Sequence, residues 1–252
     1  GTSTTQRKLK TYSSTTNYGI CVFLAEATTT YSDYTTQCTT ETTYTVTFNA
    51  NGHGTAPQEQ TITSGGKASE PTAPTATGYT FGGWYKEEGC TNAWDFETDV
   101  VASDITLYAK WTANTYTVTL DNQGATTAGA ASVTATYNAA MPSIASNLPE
   151  KTGYTFGGYF TGQNGTGTQY YNQSGGAYNN KKWDQATGAT LYAKWTANKY
   201  TVKFNGNDNT GGSMNDQSFT YGQAQNLTVN AFTRTGYTFK EWNTNKSGSG
   251  TS

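Results

Sequence analysis

Apolar and polar positions alternate along the chain in short runs separated by breaks rich in glycine and asparagine. In YTVTFNANGHG, which starts at Tyr44, the residues Tyr44, Val46 and Phe48 fall on one side and Thr45 and Thr47 on the other. That is the pattern of a half-buried strand. The Asn/Gly cluster behind it predicts a tight turn, because these residues tolerate positive φ. EQTITSGG from Glu59 then reads as the return strand of a hairpin, and KASEPTAPTATG from Lys67 as a looser segment, either one short helical turn or an irregular crossover. TGYTFGGWY, Thr77 to Tyr85, restores the alternation. It sets Tyr79, Phe81 and Tyr85 against Thr80, Gly82 and Trp84, and rings on both sides predict a central strand. DITLYAKWTAN from Asp104 closes the set as a terminal strand, with Leu107, Ala109 and Trp111 on one face and Tyr108 and Lys110 on the other.

The whole series recurs, and recurrence at constant order is the sequence signature of a repeat architecture. YTVTLDNQGA at Tyr116, ASVTATYN at Ala131, MPSIASNLPEKTG at Met141, TGYTFGGYF at Thr152 and GATLYAKWTAN at Gly188 form a second copy. YTVKFNGNDNTGG at Tyr200, DQSFTYGQ at Asp216 and TGYTFKEWN at Thr235 begin a third, which stops before any LYAKW strand. The expected division is 1–42 as the end of a preceding domain with a Thr-rich connector, then repeats at 43–113, 114–197 and 198–252. The second copy is longer by an insertion around QNGTGTQYYNQSGGAYNNKK, which its polarity assigns to the surface. The aromatic positions predicted to build the cores are Tyr79, Phe81, Trp84 and Trp111 in the first copy, Tyr154, Phe156 and Trp195 in the second, and Tyr237, Phe239 and Trp242 in the third. The connectors WTANTYTV and WTANKYTV hold neither glycine nor proline and are expected to be stiff.

The order YTVTFNANG, TGYTFGGWY, a WDF segment at Trp94 to Phe96 and ITLYAKWTAN resembles the Listeria-Bacteroides repeat of bacterial surface proteins, which includes the B repeat of internalins. The resemblance covers the chain from about Thr43 onward. It implies small β-grasp-like modules, each a mixed sheet packed over one short helix or crossover, in tandem, and the stiff connectors lead to the expectation of an elongated array. It also implies an extracellular place, at the bacterial cell surface or secreted. Two departures stand out: Tyr159 occupies a position where tryptophan is expected, and the third copy lacks its closing strand.

Composition narrows the chemistry. A formal net charge of -2 with 13% charged residues gives no basic stripe for nucleic acid. The longest apolar run, ICVFLA at Ile20 to Ala25, is of strand length and far short of the roughly 18 residues of a membrane span. A chain that starts at Gly1 without a secretory leader and ends in SGSGTS reads as a piece of something longer. Three cysteines do not make a disulfide framework. Cys21 and Cys38 are spaced to close a loop that would contribute about 3 kcal/mol if bridged, and both the bridge and free thiols remain open. Cys90 is then left over, with no marked base beside it except the distant His53.

Candidate sites are few. Asn207, Asp208 and Asn209 suggest a calcium loop, yet the carboxylates and terminal Glu of such a loop are missing, so a turn is expected. Asp95, Glu97 and Asp99 beside Trp94 and Phe96 suggest a paired-carboxylate glycosidase, but a solvated structural loop is the expectation. N-x-S/T sequons at Asn164, Asn172, Asn226 and Asn245 carry little weight in so Asn- and Thr-rich a chain. Tyr170, Tyr171 and Tyr178 in the insertion are the candidate ligand contacts, able to stack on sugar rings or to serve as protein hot spots, against the plainer reading that they pair across the longer hairpin. No catalytic constellation, cofactor or metal is expected.

The function expected is a non-enzymatic stalk or adhesin segment that projects neighbouring domains and adds weak multivalent contacts to a host or neighbouring-cell protein or glycan. The alternative is a carbohydrate-binding module attached to a secreted glycan-degrading enzyme. The open edge of the third copy is expected to invite strand exchange.

Overall fold

The computed structural model describes residues 41–252. The Cys21–Cys38 pairing and the segment before Glu41 lie outside the described residues. The chain forms two compact units, divided between Thr112 and Ala113.

In the first unit four strands are laid down where alternation predicts them: β1 (Thr43–Asn49), β2 (Gln60–Thr63), β3 (Tyr79–Tyr85) and β4 (Ile105–Ala113). Their spatial order is β2-β1-β4-β3. β1 runs antiparallel to β2, from Thr43 opposite Thr63, and parallel to β4, from Val46 opposite Ile105. The strand of the TGYTF phrase is therefore at the sheet edge here, not at its centre, and β4, terminal in sequence, is central in space. Length explains the exchange: β4 is the longest strand, and Leu107 and Ala109 on its inner face are fully buried. They meet Val46 and Phe48 of β1. No α-helix occurs among the described residues; the crossover after β2 is irregular and places Ala68 over the sheet.

The second unit repeats the plan with β5 (Thr115–Asp121), β6 (Ser132–Thr136), β7 (Tyr154–Phe160), β8 (Gln169–Tyr171) and β9 (Ala189–Ala197). The order is β6-β5-β9-β7-β8, with β5 parallel to β9 and β7 antiparallel to it. Here the TGYTF strand is interior, because β8 from the insertion pairs with its outer edge. Val118, Leu120, Leu191 and Ala193 repeat the buried set of the first unit.

One feature of the phrase escapes strict alternation. The register of β7 against β9 shifts between Phe156 and Tyr159, so that both rings reach the core. Gly158 at φ 104 makes this bulge, and a Cβ there would lie 2.0 Å from the Tyr171 carbonyl oxygen. The same glycine pair in β3, with Gly83 at φ 101, turns Trp84 inward to 2% exposure against Phe81 and Phe48, although simple alternation puts it on the opposite face from Phe81.

The third copy contributes only a two-stranded sheet to this unit, β10 (Lys199–Val202) antiparallel to β11 (Gln217–Thr220). It is fastened to the second copy through the connector. Asn198 donates its backbone N–H to the Gly153 carbonyl (2.9 Å), accepts at its own carbonyl from Tyr221 N–H (2.9 Å) and at its side chain from the Thr155 hydroxyl (2.7 Å). The Tyr221 ring lies directly on Gly153, where any Cβ would come within 2.3 Å of it, and meets Tyr154 edge-on at 5.6 Å. The phrase glycine is thus both a left-handed turn residue (φ 77) and a seat for the next copy's ring.

Candidate functional site

The acidic loop of the first copy is built by its own hydrogen bonds. Asp95 Oδ1 accepts from Glu97 N–H (2.8 Å), Asp99 Oδ2 from Asp95 N–H (2.9 Å) and Asp99 Oδ1 from the Lys86 ammonium (2.9 Å). Backbone donation from Glu97 holds Asp95 below its ordinary pKa, and backbone donation from Asp95 together with Lys86 does the same for Asp99. Glu87 falls to about 2, through the Thr91 hydroxyl first and then the Asn92 N–H. A glycosidase acid needs the opposite shift, a carboxyl raised toward neutrality. The open pocket beside the loop, ≈ 420 Å³ and lined by Ala68, Ser69, Glu70 and Trp94 to Glu97, therefore holds turn-forming carboxylates. Trp94 itself is spent on the core, at 8% exposure.

The three insertion tyrosines separate. Tyr170 and Tyr171 are 2% and 0% exposed, whereas Tyr178 is 40% exposed. Tyr171 donates to the Pro142 carbonyl (2.9 Å) and Tyr170 to the Asp184 carboxylate (2.5 Å), while the Tyr170 ring packs 5.1 Å from Trp183. Burial and the Asp184 bond push the Tyr170 phenol up to about 12, and burial raises Tyr171 as well. As ligand contacts these two are closed off. The insertion expected at the surface folds back as β8 and fills the core, because its two adjacent rings have an inner face and polar ends to satisfy. Tyr159 in the tryptophan position is fully buried, and its hydroxyl donates to the Asn122 side chain.

The other candidates resolve into turns. Asn207 and Asp208 both take positive φ, and Asn209 donates to the Gly211 carbonyl. No group of three His, Cys, Asp or Glu placed to hold a metal occurs among the described residues. Cys90 is a free thiol beside the Asn51 amide, while His53 stacks on Tyr79 at 4.0 Å. Trp111 and Trp195 are half-buried, and each ties its strand to the turn after the first strand: Trp111 Nε1 donates to Ala50 O (2.9 Å) and Trp195 Nε1 to Asn122 O (3.0 Å).

The third copy departs from its predicted core. Tyr237 is 69% and Phe239 47% exposed, against 9% for Phe156 in the matching position. No strand of the described residues lies beside the second edge of β10 or beside residues 237–239. Lys240 and Glu241 stand where the other copies have the two bulge glycines. Tyr237 and Phe239 are thus unsheltered, in keeping with the open edge expected for this copy, and Leu227 and Val229 of the same copy are exposed as well.

Comparison with known proteins gives this construction its place. The Listeria-Bacteroides repeat domain matches residues 44–110, 116–194 and 200–252. Internalin H of Listeria monocytogenes is 39% identical over 175 residues, 67% of this chain and 28% of that protein. A "Putative membrane protein" of Evansella cellulosilytica is 36% identical over 214 residues, 82% of this chain and 29% of that protein. The chain thus spans less than a third of the length of either relative. Among the described residues no helix is long and apolar enough to cross a membrane. With three successive matches covering most of its length, the chain belongs to the Listeria-Bacteroides repeat domain family.

Proposed function

We propose that the chain is a non-enzymatic spacer and presentation segment of a bacterial cell-surface or secreted protein, carrying neighbouring domains outward and adding weak multivalent contacts to a protein or glycan on a facing surface. The observation that carries this reading is the duplication of structural ties. In both complete copies the closing-strand tryptophan bonds to the same turn carbonyl and the same four inner positions are buried. The residues with most chemical promise, Asp95, Asp99, Tyr170 and Tyr171, are spent on turns and core. The similarity to Internalin H supports the surface setting. The carbohydrate-binding alternative leans on the insertion tyrosines, and the burial of two of them leaves it Tyr178 alone. The test is display on a bacterial surface of an epitope joined to an anchor through one, two or three copies. Epitope access to a bulky antibody should rise with copy number. Access independent of copy number, or turnover of a glycan by the purified chain, would overturn the reading.

A further inference from the structure

We infer that Gly153, Asn198 and Tyr221 form a rotational lock, which holds the hairpin of the third copy in one orientation on the second copy. The lock goes beyond the spacer role and is read from the joint alone; a spacer gains a fixed direction from it.

Three ties meet at the connector, and their positions decide what each can do. Asn198 is the single residue between β9 and β10, so the connector has no slack. It donates its N–H to the Gly153 carbonyl (2.9 Å) and accepts Tyr221 N–H at its own carbonyl (2.9 Å), which bonds one residue to both copies. Two bonds through one residue fix a pivot, not an angle. The angle is set away from the pivot, where the Tyr221 ring lies on Gly153 and meets Tyr154 edge-on at 5.6 Å. That third contact removes the remaining rotation. The Thr155 hydroxyl donates to the Asn198 side chain (2.7 Å) and keeps the pivot residue itself from turning.

Both halves are stiff where they meet. Tyr154 is paired with Ala197 of β9, and its ring also carries the Lys151 ammonium at 5.0 Å, which is fixed in turn by the Gln123 carbonyl (3.1 Å). Tyr221 follows directly on Thr220, which is paired with Lys199 in the hairpin, and Gln223 N–H closes a turn onto the Thr220 carbonyl (3.1 Å). Parts already ordered lose little freedom on docking. The connector's tie also recurs one copy earlier, where Tyr137 N–H donates to the Asn114 carbonyl (2.8 Å), so this half of the device belongs to the repeat.

Residual dipolar couplings of backbone amides in the full chain test the lock, because they report how well residues 199–220 are ordered in the frame of residues 154–197. The native chain should read the rigid order parameter of about 0.85, and Tyr221→Ala should fall below about 0.6. Both copies should stay folded in that variant, since Tyr221 is 39% exposed and its loss hollows neither core. Tyr221→Phe keeps the ring and should read as the native chain does. Gly153→Ala should loosen the joint, because its Cβ would come within 2.3 Å of the Tyr221 ring. Gly236→Ala is the control for backbone strain: it has nearly the same φ, 79 against 77, with nothing within 4 Å, and should leave the joint tight. Low order in the native chain, native order in Tyr221→Ala, or equal order in Gly153→Ala and Gly236→Ala would overturn the lock. None of these results touches the spacer role, which stands or falls with epitope access.

Discussion

The first and second copies each bring a tryptophan to their own core, by loops of different length. Trp94 arrives after a short acidic turn, its N–H bonded to the Trp84 carbonyl (2.8 Å), while Trp183 arrives after a long insertion that also contributes β8, Tyr170 and Tyr171. The short loop leaves β3 as an edge strand; the long one covers β7. The added residues therefore lengthen the loop less than they enlarge the core, and they shelter an edge that would otherwise be free to pair with other chains.

The strongest way to break this comparison is to remove the tryptophans. Trp183→Ala should destabilise the second copy by about 3–5 kcal/mol, and Trp94→Ala the first by somewhat less, because Trp94 is 8% exposed and Trp183 fully buried. Hydrogen exchange resolved by copy would measure both, and a larger loss in the first copy would reverse the assignment. The bulge glycines come next. Gly83→Ala has only the Tyr85 ring 4.0 Å away and should cost the backbone strain of about 1–3 kcal/mol. Gly158→Ala adds the collision with β8 and should cost clearly more in urea denaturation; equal costs would mean that β8 yields without penalty.

A finer probe is Tyr171→Phe, which deletes the bond to Pro142 while keeping the ring, and should cost about 1 kcal/mol. The smallest contrast is one of pH. Glu87, Asp95 and Asp99 have depressed pKa values, so what they add to the first copy is present above their unfolded values and lost as pH falls from about 4.5 toward 2. Tyr159 and Tyr170 are raised from 10.0 to about 12, so what their protonated form adds to the second copy is present below pH 10 and lost as pH rises toward 12. Copy-resolved melting should show the first copy failing earlier in acid and the second in alkali. The reverse order would contradict the roles given to these groups.

Much of the strand map was readable in the sequence, because Tyr44, Val46 and Phe48 can alternate in only one way and Asn/Gly clusters mark where each run must turn. Strand order was less readable. The parallel pairing of the first and last strands joins residues such as Phe48 and Leu107 that no local pattern connects. Trp84 misled because its parity is right only for a straight strand, and the bulge is made by the two glycines that carry no side chain to reveal it. For Tyr170 and Tyr171 the plainer reading, pairing across the hairpin, has its counterpart in Tyr171 opposite Tyr159, but the polar residues around them hid that the ring pair carries the segment into the core. The resemblance to the repeat family was carried by whole phrases and so survived these local errors.

The parallel neighbours β5 and β9 also fix how the second copy meets a pull along the chain. Tension enters at the start of β5 and leaves at the end of β9, so the two strands are drawn in opposite directions along their length. The pairs from Val118–Ala189 to Asp121–Tyr192 are then loaded in shear and together, not peeled one at a time as in a hairpin. In single-molecule stretching this copy should therefore rupture as one unit at high force, not in successive small steps.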